Sequence, residues 1–259
     1  MKSSRLLPLD LIRLKANNQR FTMLTAYDAP MASLLEKSGI KVVLVGDSLG
    51  NNFSGFDNTI PVTLEQMIYH CQAVSRGCSQ ALIIADMPFM TAQVSITDAK
   101  KNAAKLIQKG GAQAVKIEIF SPQDLDVIRA IIDCGIPVLG HLGLTPQSLY
   151  QLGGYAKQAK DKRSQRLLEK QADALSDAGC FGLLLECIPD DFAQHLQKKY
   201  PIPIIGIGSG SHCDGQVLVT QDLLGMNESA PPSFVKPYAQ LYSLMSQAIK
   251  DFKKDSETL

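Results

Sequence analysis

Short, nearly continuous apolar runs recur along the chain, and each ends on a charged or polar residue. They read VVLVGD ending at Asp47, ALIIAD at Asp86, AVKIE with Lys116 and Glu118, PVLGH at His141 and GLLLE at Glu186. Runs of four to six apolar residues bounded by turn formers predict strands covered on both faces, as in a parallel sheet. The pattern predicts strands near 22–26, 42–47, 81–86, 114–119, 137–142, 182–187, 203–208 and 216–220. Stretches with helical periodicity separate them, so the chain reads as successive βα units. Eight strands is the number of a closed (β/α)8 TIM barrel, whose chemistry gathers at the carboxyl ends of its strands. An open sheet is the alternative.

The helices carry recognisable ends. Thr63-x-x-Gln66 is a capping box opening a helix that runs to Gly77. Ser121-Pro122-Gln123-Asp124 predicts an N-cap with proline in the first turn. Gly39, Gly110 and Gly179 stand where helices should stop. Tyr238, Leu241, Met245, Ile249 and Phe252 recur at helical spacing after Pro237. Residues 1–259 are read as one barrel domain with an N-terminal helix and a C-terminal helical extension.

A length of 259 residues suits one such barrel and buries a large core without staples. A net charge of +1 without a basic stripe argues against nucleic acid or an anionic membrane as partner. Any steering of an anionic substrate must come from a local field. No apolar run approaches the roughly 20 residues needed to span a bilayer. Asp10, Arg13 and Lys15 interrupt the leucine-rich start, so it is not read as an export signal. The six cysteines form no C-x-x-C pair and are read as reduced thiols, which places the protein in the cytoplasm by default.

Side chains alternate across a strand, so Lys116 and Glu118 share one face, and Asp86 shares a face with Ile84 and Leu82. A lone strand-end aspartate is as readily a turn former as a ligand. Asp47, Asp86 and Glu118 together point to a shared site. Three carboxylates without paired cysteines or clustered histidines suit a hard, oxygen-ligated cation such as magnesium. The alternative is a metal-free ion-pair network neutralised by Lys116. Glu186, emerging from a wholly apolar strand, suits general-base work, or else a helix-cap role. His141 is either a donor to substrate or a structural histidine, while His70, His195 and His212 read as packing or surface groups. Gly206, Gly208 and Gly210 could cradle a phosphate, but tight βα turns need glycine anyway.

Ten segments, in order over almost the whole chain, resemble the ketopantoate hydroxymethyltransferase family. They are TAYD (25–28), VGDSLG (45–50), TIPVT (59–63), ADMPF (85–89), VKIE (115–118), GHLGLTPQS (140–148), GGY (153–155), LECIP (185–189), IGIGSG (205–210) and DGQVLV (214–219). The resemblance implies a (β/α)8 barrel of the phosphoenolpyruvate/pyruvate superfamily. It implies transfer of a hydroxymethyl group from 5,10-methylenetetrahydrofolate to 3-methyl-2-oxobutanoate, giving 2-dehydropantoate on the route to pantothenate and coenzyme A, through an enolate held by magnesium. It further implies Asp47, Asp86 and Glu118 as the Mg2+ set, Asp47, Ser48, Asp86 and Lys116 as oxoacid contacts, and Glu186 as proton acceptor. Large homo-oligomers, often decamers, are implied as well. The chain departs from the family at 156–164, AKQAKDKRS, where Ala156 replaces a lysine and Ala159 a glycine, and at Phe56, where histidine is usual. Two competing readings keep the barrel. One is a relative that cleaves C–C bonds or moves phosphonates, although no K-K-C-G-H-type loop is present. The other is a non-catalytic barrel, for which the altered 156–164 segment is the support.

Overall fold

The structure is a computed structural model that describes residues 5–258. Eight parallel strands close into a barrel in sequence order. They are β1 (Phe21–Thr25), β2 (Val42–Val45), β3 (Leu82–Asp86), β4 (Ala114–Glu118), β5 (Val138–Gly143), β6 (Gly182–Glu186), β7 (Ile204–Ile207) and β8 (Gly215–Leu218). Each of the eight predicted strands is present to within two residues at either end. The expected strand at 216–220 starts at Gly215 and stops at Leu218, because Val219 already serves as the N-cap of a helix beginning at Thr220.

Helices cross from strand to strand: α1 (Pro8–Ala16) precedes β1, and α2 (Ala29–Lys37), α3 (Leu49–Asn52), α4 (Leu64–Gly77), α5 (Ile96–Gln108), α6 (Asp124–Ile132), α7 (Leu149–Leu152), α8 (Lys162–Asp177) and α9 (Asp190–Lys199) follow. The predicted capping box of α4 forms, with Thr63 and Gln66 satisfying each other's backbone N–H groups at 2.8 and 3.2 Å. The expected cap at Ser121 does not form. Asp124 instead turns its carboxylate back to accept from the N–H groups of Phe120 and Ser121 at 2.8 and 2.7 Å, and the helix begins only there. Gly39 and Gly179 take the left-handed conformation after their helices, whereas after α5 it is Gly111 rather than Gly110 that does so.

The chain divides into two compact units, Met1–Val217 and Leu218–Leu259. Within the second, α10 (Thr220–Leu224) and α11 (Leu241–Glu257) are tied by backbone hydrogen bonds from Tyr238 N–H to Leu223 O and from Tyr242 N–H to Gly225 O, both 2.8 Å. Among the described residues, no helix is long and apolar enough to cross a membrane.

Strand register explains where the core ends and the chemistry begins. Leu44 pairs with Ile84, Ile84 with Ala114, Lys116 with Leu139, and His141 with Leu184. Met23, Val42, Leu44, Leu82, Ile84, Ala114, Leu139, Leu184, Ile205 and Val217 accordingly form one buried cluster. Leu11 of α1 joins it, with Leu6, Ile12 and Leu14 packed beside it, so α1 covers the amino-terminal ends of the strands. Burying these side chains stabilises the barrel by roughly 1.5–3 kcal/mol each for the larger ones. Two residues further along the same faces, the apolar series gives way to Asp86, Lys116, His141 and Glu186, with Glu118 two residues beyond Lys116. The core and the polar mouth are thus successive layers of one inward-facing set.

Candidate active site

The mouth holds a buried polar network. Asp47, Asp86, Lys116, Glu118 and His141 are each less than 5% exposed. The Lys116 ammonium lies 3.1 Å from Asp86 Oδ1, 3.9 Å from Glu118 Oε1 and 3.1 Å from His141 Nδ1. An ammonium has no acceptor, so His141 Nδ1 must accept, and the imidazole proton sits on Nε2. Burial and the adjacent Lys116 charge push the His141 pKa down, which keeps the ring neutral. Its Nε2 faces Glu186 Oε2 at 3.3 Å.

Three carboxylates around one ammonium leave the cluster over-supplied with negative charge. Burial, then the charges of Asp86 and Glu118, raise the Asp47 pKa well above the usual carboxylate range. Burial also pushes Glu118 up to about 7, despite the opposing pull of Lys116. The Lys116 pKa is raised: the three carboxylates outweigh the desolvation that would lower it. Glu118 Oε1 is buried and without a hydrogen bond, with the Lys116 ammonium no nearer than 3.9 Å, whereas Asp86 Oδ1 is paired with that ammonium. An orphaned, buried carboxylate oxygen is the signature of a missing cationic or hydrogen-bonding partner.

The structure therefore brings together every residue predicted for the site. Asp47 is reached one turn beyond β2, and its backbone N–H donates to Asp86 Oδ2 at 2.9 Å. Ser48 Oγ lies 2.9 Å from the Tyr27 hydroxyl. Burial raises the Tyr27 pKa, so that phenol stays neutral. Glu186 lies at the rim, its side chain 15% exposed, more open than its neighbours. The three carboxylates do not converge into a closed cage: among the described residues, no group of three or more His, Cys, Asp or Glu is spaced to hold a metal ion. The Lys116 ammonium lies between Asp86 and Glu118.

Gln147 was not singled out from the sequence. It is 3% exposed, and its amide Nε2 donates to Asp47 Oδ2 at 2.7 Å and to Met87 O at 3.0 Å. Its backbone N–H donates to Glu118 Oε2 at 3.0 Å. The only hint lay in its place within GHLGLTPQS. Gly143, the last residue of β5, has φ +96, and a Cβ there would run into Glu186 O. Glycine is what lets the end of β5 pass so close to the end of β6.

The altered segment after β5 lies against this mouth. Gln158 N–H donates to the carbonyl of Cys187, the residue after Glu186, at 2.8 Å. Burial, with the charges of Asp47, Glu186 and Glu118, raises the pKa of Tyr155. Ala159 takes φ +52, a conformation that costs a side-chain-bearing residue roughly 1–2 kcal/mol. The glycine loop after β7 is held to β6 rather than left as an open cradle: Ser209 Oγ donates to Leu185 O at 2.8 Å and accepts from Ile188 N–H at 3.3 Å. His70 packs inside, its Nδ1 2.7 Å from Tyr27 O, while His195 and His212 contact Glu169 and Asp190.

Solved structures with this fold include 2,3-dimethylmalate lyase, a member of the phosphoenolpyruvate mutase/isocitrate lyase superfamily. It superposes with a TM-score of 0.64 at 18% identity, over 96% of this chain and 88% of that one. Phosphonopyruvate hydrolase in complex with oxalate and Mg2+ superposes with a TM-score of 0.62 at 14% identity, over 83% and 81% of the two chains. These likenesses establish the barrel type. Sequence relatives are much nearer. The 3-methyl-2-oxobutanoate hydroxymethyltransferase of Syntrophotalea carbinolica is 48% identical over 247 residues, 95% of this chain and 92% of that protein. The enzymes of the same name from Carboxydothermus hydrogenoformans and Geobacter metallireducens are 48% and 47% identical, covering 95% and 94% of this chain and 88% and 91% of theirs. The family model described as ketopantoate hydroxymethyltransferase matches residues 6–258, and the chain belongs to that family.

Proposed function

We propose that this protein transfers a hydroxymethyl group from 5,10-methylenetetrahydrofolate to 3-methyl-2-oxobutanoate, giving 2-dehydropantoate at the first step of pantothenate biosynthesis. The observation that carries the reading is the convergence of Asp47, Asp86, Lys116, Glu118, His141 and Glu186 on one mouth, in a chain nearly half identical to enzymes of that name.

The donor set fits a hard divalent cation. Asp47, Asp86 and Glu118 offer oxygen only, and the buried Glu118 Oε1 lacks a hydrogen bond. Magnesium is commonly held by one or two carboxylates plus water and substrate oxygens, so a closed three-residue cage is not required. Bound there, magnesium would supply Lewis-acid polarisation of the oxoacid carbonyl. The protein's own groups account for the rest. Glu186, at the rim and beside the neutral His141 imidazole, is placed to take the C3 proton. Charge that develops on the oxoacid as the proton leaves meets the Lys116 ammonium, buried and therefore weakly screened. Ser48 Oγ, held against Tyr27, and the Asp47–Ser48 turn serve the substrate carboxylate. The segment bearing Tyr155 and Gln158 shields the mouth and meets the folate, with Lys157 and Lys160 as available cations.

The assembly is a homo-oligomer, a decamer as in the family, acting in the cytoplasm on small molecules. Exposed Phe53, Tyr69, Met90 and Val94 are apolar surface of the kind that an assembly covers. Six free cysteines, four of them buried, suit a reducing compartment.

The test is deuterium exchange at C3 of 3-methyl-2-oxobutanoate, followed by NMR. Exchange that requires Mg2+ is expected, with or without tetrahydrofolate. Substrate binding without exchange under any condition would leave a non-catalytic barrel instead. A second expectation concerns pH. Glu118 and Asp47 must lose protons to hold a cation, and both titrate above the usual range. Protons therefore compete below neutrality, and Mg2+ affinity should fall as pH drops through about 7, by about tenfold per unit for each proton displaced. Calorimetric titrations at pH 6, 7 and 8 read this directly, and a flat profile would remove these carboxylates from the cation site.

A further inference from the structure

Each of the three mouth carboxylates has one oxygen tied by an N–H group of the protein. Asp86 Oδ2 is held by the Asp47 backbone at 2.9 Å. The other two ties come from a single residue. Gln147 holds Asp47 Oδ2 through its side chain at 2.7 Å and Glu118 Oε2 through its backbone at 3.0 Å. Asp47 follows β2 and Glu118 ends β4, so no strand pairing relates them directly. Gln147 bridges the gap from the turn Pro146–Ser148 beyond β5. Its orientation is settled by its partners: Nε2 faces two acceptor oxygens, Asp47 Oδ2 and Met87 O, and only the NH2 end of the amide can donate to both.

A carboxylate held by one oxygen cannot turn freely, so its second oxygen is presented in a set direction. In Glu118 that second oxygen is Oε1, which is buried and has no hydrogen bond. We propose that Gln147 is a positioning residue for the transfer reaction. It braces Asp47 and Glu118 across the mouth by one oxygen each and leaves the other oxygen of each as a donor to a divalent cation. The proposal rests on the cation-assisted reading above and concerns a residue that itself touches neither cation nor substrate. A merely structural Gln147 would affect melting and leave cation affinity alone.

The experiment compares the full chain with Gln147→Met, which keeps the length but loses the donor, and Gln147→Asn, which keeps the amide one methylene short. Mg2+ is titrated calorimetrically and Mn2+ by electron paramagnetic resonance, alongside thermal melts in the absence of metal. Loss of an outer partner of a metal-binding carboxylate weakens affinity about 10–100-fold, and that loss is expected for Gln147→Met. Turnover should be recovered in part by raising the Mg2+ concentration. Gln147→Asn should fall between the two, and it carries the same titration if the methionine variant does not fold. Cation affinity within twofold of the parent, in a variant that melts with the parent or below it, would overturn the proposal. If the parent binds neither cation, the cation reading itself fails, and the role of Gln147 fails with it.

Discussion

Replacing Glu186 by glutamine is expected to lower turnover by about 10²–10⁴, the usual contribution of a positioned general base. The amide keeps the size and shape of the side chain, so the barrel and its mouth should be undisturbed. What is lost is the ability to accept the C3 proton. Glu186 is the better candidate than the other mouth carboxylates because of its setting. Glu118 is 1% exposed, held by Gln147 and beside Lys116, and pushed up to about 7, so near neutrality it is partly protonated. Asp47 is tied to Gln147, and burial with the charges of Asp86 and Glu118 raises its pKa as well. Glu186 stands at the rim, more open than its neighbours, with the His141 imidazole at 3.3 Å. Two readouts should move together: overall turnover and C3 exchange of the oxoacid without folate. Binding of the oxoacid, measured by calorimetry, should stay within a few-fold. Turnover within about threefold of the parent would take Glu186 out of the role and return attention to Asp47.

Lys116→Met is expected to damage both stability and catalysis. The methionine stem can fill the space of the lysine stem, so packing changes little. The ammonium, however, is the one cation within 4 Å of Asp86 and Glu118 among the described residues, and it is buried with them. Removing one partner of a buried ion pair typically costs 3–5 kcal/mol, because the remaining charge is left without compensation. For a chain of this size that corresponds to a fall in melting temperature of roughly 6–20 °C. The pH dependence has a definite sign. The orphaned carboxylates bind protons more readily in the folded protein than in the unfolded chain. The folded state of the variant is therefore favoured as pH falls and penalised as pH rises through the raised folded values. The gap between variant and parent should narrow towards pH 5 and widen above about 7. Saturating Mg2+ should recover part of the lost stability, since a cation bound by these carboxylates substitutes for the missing charge. Turnover should stay depressed by about 10²–10³ even when the metal is saturating, as when a fixed charge aimed at the developing anion is removed. A variant that melts with the parent and turns over normally would show that Lys116 only balances charge.

Much of the site was legible because strand alternation is so regular. Once VVLVGD, ALIIAD, AVKIE, PVLGH and GLLLE are read as parallel strands, their polar ends must lie at one rim, and period-two alternation puts Asp86, Lys116, Glu118, His141 and Glu186 on the inward face. The helix ends were legible where a local motif is self-sufficient, as at Thr63 and Gln66. They were misread where the capping group acts backwards. Asp124 satisfies N–H groups that precede it, so Ser121-Pro122 is part of a turn and not the first turn of a helix.

Gln147 shows the other limit. Its partners Asp47 and Glu118 are 100 and 29 residues away in the chain. A neutral amide in a loop after a strand carries no periodic signal. The tautomer of His141 was equally out of reach, because it depends on Lys116 from the neighbouring strand at 3.1 Å. The protonation of Glu118 is likewise a balance between burial and charges contributed by β3 and β4, with a tie from the loop after β5. By itself the sequence determined the βα repeat, the strand positions, the inward-facing set and the family, because these follow from local periodicity and short motifs, while the closure of the strands into a barrel was settled by their pairing. Only the tertiary structure decided which oxygen of each carboxylate is tied, which is left open, and which proton each group keeps. Those depend on distances of a few ångströms between residues that the chain brings together only when the barrel closes.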